Sequence, residues 1–65
     1  MISIITIECI IQESNVTVGS RVYKANVVPR IDERIIYGGS EVFLVTGVVH
    51  YSDRPDTVSI LVEQK

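Results

Sequence analysis

The sequence predicts an all-β fold, a small five-stranded antiparallel sheet that is strongly bent or closed into a partly open barrel. Three observations predict it. Ten Ile and eleven Val occupy 21 of the 65 positions, and branching at Cβ restricts χ1 in a way that suits strands and disfavours helices. Apolar residues recur with a period of two and not of 3.6. Turn residues then divide the chain at short intervals, so residues 1–65 read as one domain with no repeats or linkers.

The first run, Met1 to Gln12, places Ile5, Ile7, Cys9 and Ile11 on one face and Ile2, Ile4, Thr6, Glu8 and Ile10 on the other. Both faces are apolar over much of its length. Glu13-Ser14-Asn15 and Gly19-Ser20 are turn signals, and the segment between them, Val16 to Val18, reads as a loop with some extended structure. A second run, Arg21 to Val28, turns Tyr23, Ala25 and Val27 inward. It ends at Pro29, which has no N–H to give a ladder. Pro29-Arg30-Ile31-Asp32 forms a turn into a third run, Glu33 to Tyr37, and Gly38-Gly39 suits a two-residue hairpin because both positions accept positive φ.

The fourth run, Glu41 to Tyr51, is too long to stay straight in so small a domain. Gly47 near its middle marks a bulge or bend. Phe43 and Val45 face the core before it, and the alternation then resets, leaving open whether Val48 or Val49 turns inward. Ser52 to Asp56 is a loop, and the last run, Thr57 to Glu63, turns Val58, Ile60 and Val62 inward and Ser59, Leu61 and Glu63 outward. Runs joined by short turns make an antiparallel meander.

The segment Val27-Val28-Pro29-Arg30-Ile31-Asp32-Glu33-Arg34-Ile35-Ile36, followed by Gly39, Phe43, Val45, Val48 and Val62, resembles the pattern of small SH3-like barrels. A Pro-bearing turn, a charged pair entering a strand, a Gly hairpin and a bent strand carry the likeness over about the last 45 residues. The resemblance implies barrel geometry and names no ligand. The aromatic groove that SH3 domains use for Pro-rich peptides is not evident, since Trp is absent and only Tyr23, Tyr37, Tyr51 and Phe43 are available. A self-standing chain of this size is also similar to the small proteins of bacteriophages and other mobile elements.

A domain this short buries only roughly 60% of the surface its unfolded chain exposes, so little stability is left for a deep or strained active site. One cysteine, Cys9, permits no intrachain disulfide, and with His50 as the one histidine no Cys/His zinc set forms. No cofactor is expected. The apolar amino-terminal run lacks a basic start and contains Ser3, Thr6 and Glu8, so it reads neither as a signal peptide nor as a membrane span, and a cytoplasmic location with no membrane partner is the expectation. Asn15-Val16-Thr17 matches a glycosylation sequon, which is read as chance without a secretory signal.

The catalytic readings fail on similar grounds. His50-Tyr51-Ser52-Asp53-Arg54-Pro55-Asp56 gathers a histidine, a hydroxyl and two carboxylates, but Ser and Asp are what a turn uses to bond its own backbone. Cys9 lies among Ile5, Ile7 and Ile11, which raise a thiol pKa. Asp32 and Glu33 diverge in a strand and sit between Arg30 and Arg34 as a charged turn. No phosphate loop exists. The expectation is therefore a protein that binds and is not an enzyme.

Apolar residues make up 46% of the chain, more than so small a barrel can hide, and Ile2, Ile4, Ile10, Val22, Leu44 and Leu61 all fall on outward positions. Either the first strand bends across the barrel end and buries both its faces, or these residues form an interface with another protein or with a second copy, or a small-molecule pocket forms between subunits. The interface is the leading reading: a non-catalytic protein-binding module, acting by steric occupation of a partner and associated as a homo-oligomer. The polar loops bearing Arg30, Asp32, Arg34, His50, Tyr51 and Arg54 are then left for the partner. A second reading uses the same loop Arg and Tyr residues to bind nucleic acid or a nucleotide-like ligand, against a net charge of -2 that gives no broad attraction for a polyanion.

Overall fold

The computed structural model describes residues 4–64. Five strands, β1 (Ile5–Glu13), β2 (Val16–Ala25), β3 (Arg34–Tyr37), β4 (Glu41–His50) and β5 (Thr57–Gln64), form one sheet in the order β2-β1-β5-β4-β3. The sheet is strongly curled into a half-barrel.

Its core is the ladder between the first and last strands. Ile7, Cys9 and Ile11 of β1 stand opposite Val58, Ile60 and Val62 of β5, and all six are buried. Phe43 and Val45 of β4 complete the cluster. Each of the Ile, Val and Phe side chains contributes roughly 1.5–3 kcal/mol on burial, before the chain's conformational entropy is set against it.

This ladder is parallel, so the sheet is mixed and the expected all-antiparallel meander is corrected. The reason is one of parity. Every connection in the chain reverses direction, so odd-numbered strands run one way and even-numbered strands the other. A meander pairs β2 with β3 and leaves β1 and β5 as its edges. Here the two strands with the most deeply buried inner rows have joined, and the break falls between β2 and β3.

Two bulges bend the sheet. In β4 the register passes from Val45↔Val62 to Gly47↔Leu61, leaving Thr46 unpaired on the ladder. The Thr46 hydroxyl donates to the Leu61 carbonyl at 3.2 Å. The reset pairs Val48 with Ile60 and Val49 with Ser59, so Val48 packs against the core and Val49 faces out. Space beside the bulge is tight, since a Cβ on Gly47 would lie 3.2 Å from Leu61 Cδ1 and the Leu61 side chain would have to give by a few tenths of an ångström. In β2 the register passes from Ile11↔Gly19 to Gln12↔Thr17, with Val18 extra.

That second bulge corrects the expectation of a loop at Val16 to Val18 and a turn at Gly19-Ser20. A one-residue insertion lets β2 continue through a glycine that would otherwise end it. The turn before it is confined to Ser14 and Asn15, with φ of 53° and 66°, between the paired residues Glu13 and Val16. Gly38 and Gly39 do take positive φ, 62° and 81°, but Tyr37 pairs with Glu41, so the connection holds three residues and not two. At the other end of β2 the strand stops at Ala25, three residues before the sequence suggests. Alternation lapses there, leaving the supposedly inward Val27 70% exposed while Val28 packs against the core.

The break between β2 and β3 is spanned by side chains. The Tyr23 and Tyr37 rings meet at 6.4 Å between centroids, inclined by 59°. Alongside, Arg21 of β2 donates from Nε and Nη2 to the two carboxylate oxygens of Glu41 on β4, each at 3.1 Å. The Glu41 carboxylate holds the Arg21 pKa above its ordinary value, chiefly through this hydrogen bond and then through its charge.

If the tyrosine pair closes the break, Tyr23→Leu and Tyr37→Leu should show a coupling of about 0.5–1.5 kcal/mol in a double-mutant cycle read by urea unfolding. Strictly additive losses would show that the two rings act independently.

Candidate binding surface

A curled sheet has an inner and an outer face, and the outer face collects most of the predicted outward apolar residues. Ile10 of β1 and Leu61 of β5 are direct partners across the parallel ladder. Val22 pairs with Glu8, one outward position along β1 from Ile10. Leu44 pairs with Glu63, one outward position along β5 from Leu61. Val22 is 53% exposed, while Ile10, Leu44 and Leu61 are half-buried against one another's strands. Ile4 is exposed just before β1, and Ile2 lies outside the described residues.

A polar string borders this apolar strip. Ser59 points to the outer face yet is only 1% exposed, because Tyr51 folds back over it. The two hydroxyl oxygens are 2.7 Å apart, and Ser59 Oγ donates onward to Glu8 Oε1 over a long 3.5 Å. The guanidinium of Arg54 stacks on the Tyr51 ring at 4.2 Å from its centroid. Among the described residues no buried side-chain polar atom lacks a partner. Tyr51 and Arg54 thus act as a flap that dries one end of the outer face.

The six loop residues do not converge. Tyr51 and Arg54 belong to that flap, and Arg34 lies on the outer side of β3, opposite Leu44. Arg30 and His50 line one cleft of about 660 Å³ at the barrel end, between the β2–β3 connection and β4. Its walls are Val27, Val28, Pro29, Ile31 and Val48. Asp32 is exposed in the turn, with φ of 75°. Its backbone N–H donates to the Val45 carbonyl at 2.9 Å. At the opposite end a cleft of about 600 Å³ is lined by Glu13, Ser14, Glu63 and Gln64 among others.

His50 and Tyr51 are neighbours in sequence that serve opposite faces, as adjacent residues of an extended strand must. Ser52 and Asp53 are exposed in the turn closed by the Arg54 N–H to Tyr51 carbonyl contact at 3.4 Å. Sequence reasoning missed Val27 and Ile31, exposed by 70% and 58%. The Val-Val-Pro and Arg-Ile-Asp triplets carried a usable signal, since a branched apolar residue inside a Pro- and Asp-bearing turn has no strand to bury it.

Cys9 is fully buried on the inner face, and that burial pushes its thiol pKa up. The same environment raises the Tyr23 hydroxyl pKa, by burial first and then by the proximity of Cys9. No family model matches the chain, and no curated protein or solved structure is significantly similar to it.

The thiol yields two expected outcomes. Ellman's reagent should label Cys9 at the rate of unfolding, so labelling accelerates with urea and is negligible without it. Because the folded pKa is the raised one, the stabilisation linked to the protonated thiol is complete below about pH 8.5 and is lost as pH rises toward the folded value. Cys9→Val should flatten this alkaline decline in the urea midpoint; an equal decline in both proteins would assign it elsewhere.

Proposed function

We propose that the chain is a non-catalytic protein-binding module that works by occupying a partner's surface, and that it associates with itself through the outer face of the sheet. The observation that carries this reading is the shared placement of Ile10, Val22, Leu44 and Leu61 across four adjacent strands. Association covers an apolar strip that a lone half-barrel of this size leaves wet. It also answers the shortage of core in a domain with no disulfide to staple it. We read the half-barrel as SH3-like, on the strength of the Pro29 turn, the Gly38-Gly39 hairpin and the bend at Gly47. Arg34 and Arg54 stand apart on the outer face and Arg30 lies at the barrel end, and this scatter weighs against a continuous track for nucleic acid.

Mass measurement in solution tests the association. At tens of micromolar the chain should run as a dimer or larger, and Val22→Asp should give the monomer mass with an unchanged circular dichroism spectrum. A wild-type monomer at that concentration, or a Val22→Asp protein that still assembles, would sink the outer-face interface.

A further inference from the structure

We propose that the cleft between the β2–β3 connection and β4 binds a small amphipathic anion, a carboxylate carried on an apolar chain. The proposal concerns the barrel end and is independent of the outer face. At about 660 Å³ the cleft falls within the range of roughly 300–1,000 Å³ that small-molecule sites occupy.

The turn that carries its apolar side chains is bonded to itself and to β4. Pro29 fixes its own φ. The Arg30 N–H donates to the Glu33 carboxylate, the Glu33 N–H returns to the Arg30 carbonyl at 3.1 Å, and the Asp32 N–H reaches the Val45 carbonyl at 2.9 Å. These bonds frame Asp32 in the left-handed region at φ 75°, a turn conformation that Asp tolerates better than most L-residues. So Val27 and Ile31, 70% and 58% exposed, are presented and not collapsed. A site already in its binding conformation loses little entropy when an apolar chain covers it.

The charge at the rim selects the other half of the ligand. Among the described residues Arg30 and His50 are the polar residues of the cleft, and none that lines it is acidic. Among the described residues the Arg30 guanidinium has no ion-pair partner, the only salt bridge being Arg21 with Glu41. Glu33, close by in sequence, directs its carboxylate to the Arg30 backbone N–H. A planar guanidinium fork takes a carboxylate through two parallel hydrogen bonds, and the imidazole supplies a further N–H in any protonation state. The cleft at the far end, of similar size, is lined among the described residues by Glu13 and Glu63 and by no basic side chain, so the two ends should differ in what they take.

The test is a titration of the isotopically labelled full chain, followed by backbone amide shifts, with octanoate, acetate and 1-octanol as probes. Octanoate should give saturable shifts at Val27, Ile31, Val48 and His50 and none at Glu13 or Glu63. Acetate and 1-octanol, each lacking one half of the ligand, should bind roughly tenfold more weakly or worse. Arg30→Gln, a change at an exposed side chain that leaves the turn's backbone bonds in place, should weaken octanoate by roughly tenfold. Shifts confined to outer-face residues such as Ile10 and Leu61, 1-octanol binding as well as octanoate, or an Arg30→Gln protein that binds unchanged would each overturn the proposal. None of those results alters the mass in solution, so failure here and failure of the outer-face association are read separately.

Discussion

The parallel ladder between β1 and β5 is the contact on which everything else rests. It joins Thr6 to Thr57 and every following pair at a constant separation of 51 residues along the chain. Among the described residues six of the eight buried apolar side chains lie on it. The hairpins on either side could each form locally, but neither has a second apolar layer until the ladder brings their inner faces together.

What the ladder gains at the centre it gives up at the margin. Joining β1 to β5 leaves β2 and β3 without backbone partners on their outer sides, and exposed strand edges invite pairing with other chains. The molecule manages this unevenly. β3 has only four residues and carries Arg34, while the Tyr23–Tyr37 and Arg21–Glu41 contacts tie the two margins across the break. The ten-residue β2 is blunted by its bulge at Val18 and by Lys24, yet keeps Val16 and Val22 in solvent. The curl that makes the inner face a core also makes the outer face convex, which is the form of surface suited to sitting against a partner and not to enclosing one.

Local chemistry was legible in the sequence, and long-range pairing was not. Period-two alternation placed Ile7, Cys9, Phe43, Val45, Ile60 and Val62 inside, and the glycine in β4 announced its bend, because each of those depends on a residue and its near neighbours. The two bulges show the limit. At Gly47 a glycine inside an apolar run reads as a bend, whereas Gly19 beside Ser20 reads as a stop, though both absorb one extra residue. Strand order is decided by which apolar faces meet after collapse, and no turn encodes that, so the meander was the natural expectation and the parallel ladder a surprise. For the surface, the outward Ile10, Val22, Leu44 and Leu61 follow from alternation alone. The end cleft does not, since Val27 and Arg30 come together with Val48 and His50 only after the chain has crossed from one margin of the sheet to the other.

That crossing, residues 26–33, is the only covalent tie between a two-stranded and a three-stranded half, and the ladder is the non-covalent one. The protein is therefore organised as a hinge-linked pair whose halves recognise each other through a strand apiece. A nick in the crossing would remove no ladder hydrogen bond, and the two pieces keep the means to find one another. During synthesis the same arrangement has an opposite effect. The first half emerges with its inner row of Ile and Cys uncovered and must wait for β5, the furthest of the five strands along the chain, before that row is shielded.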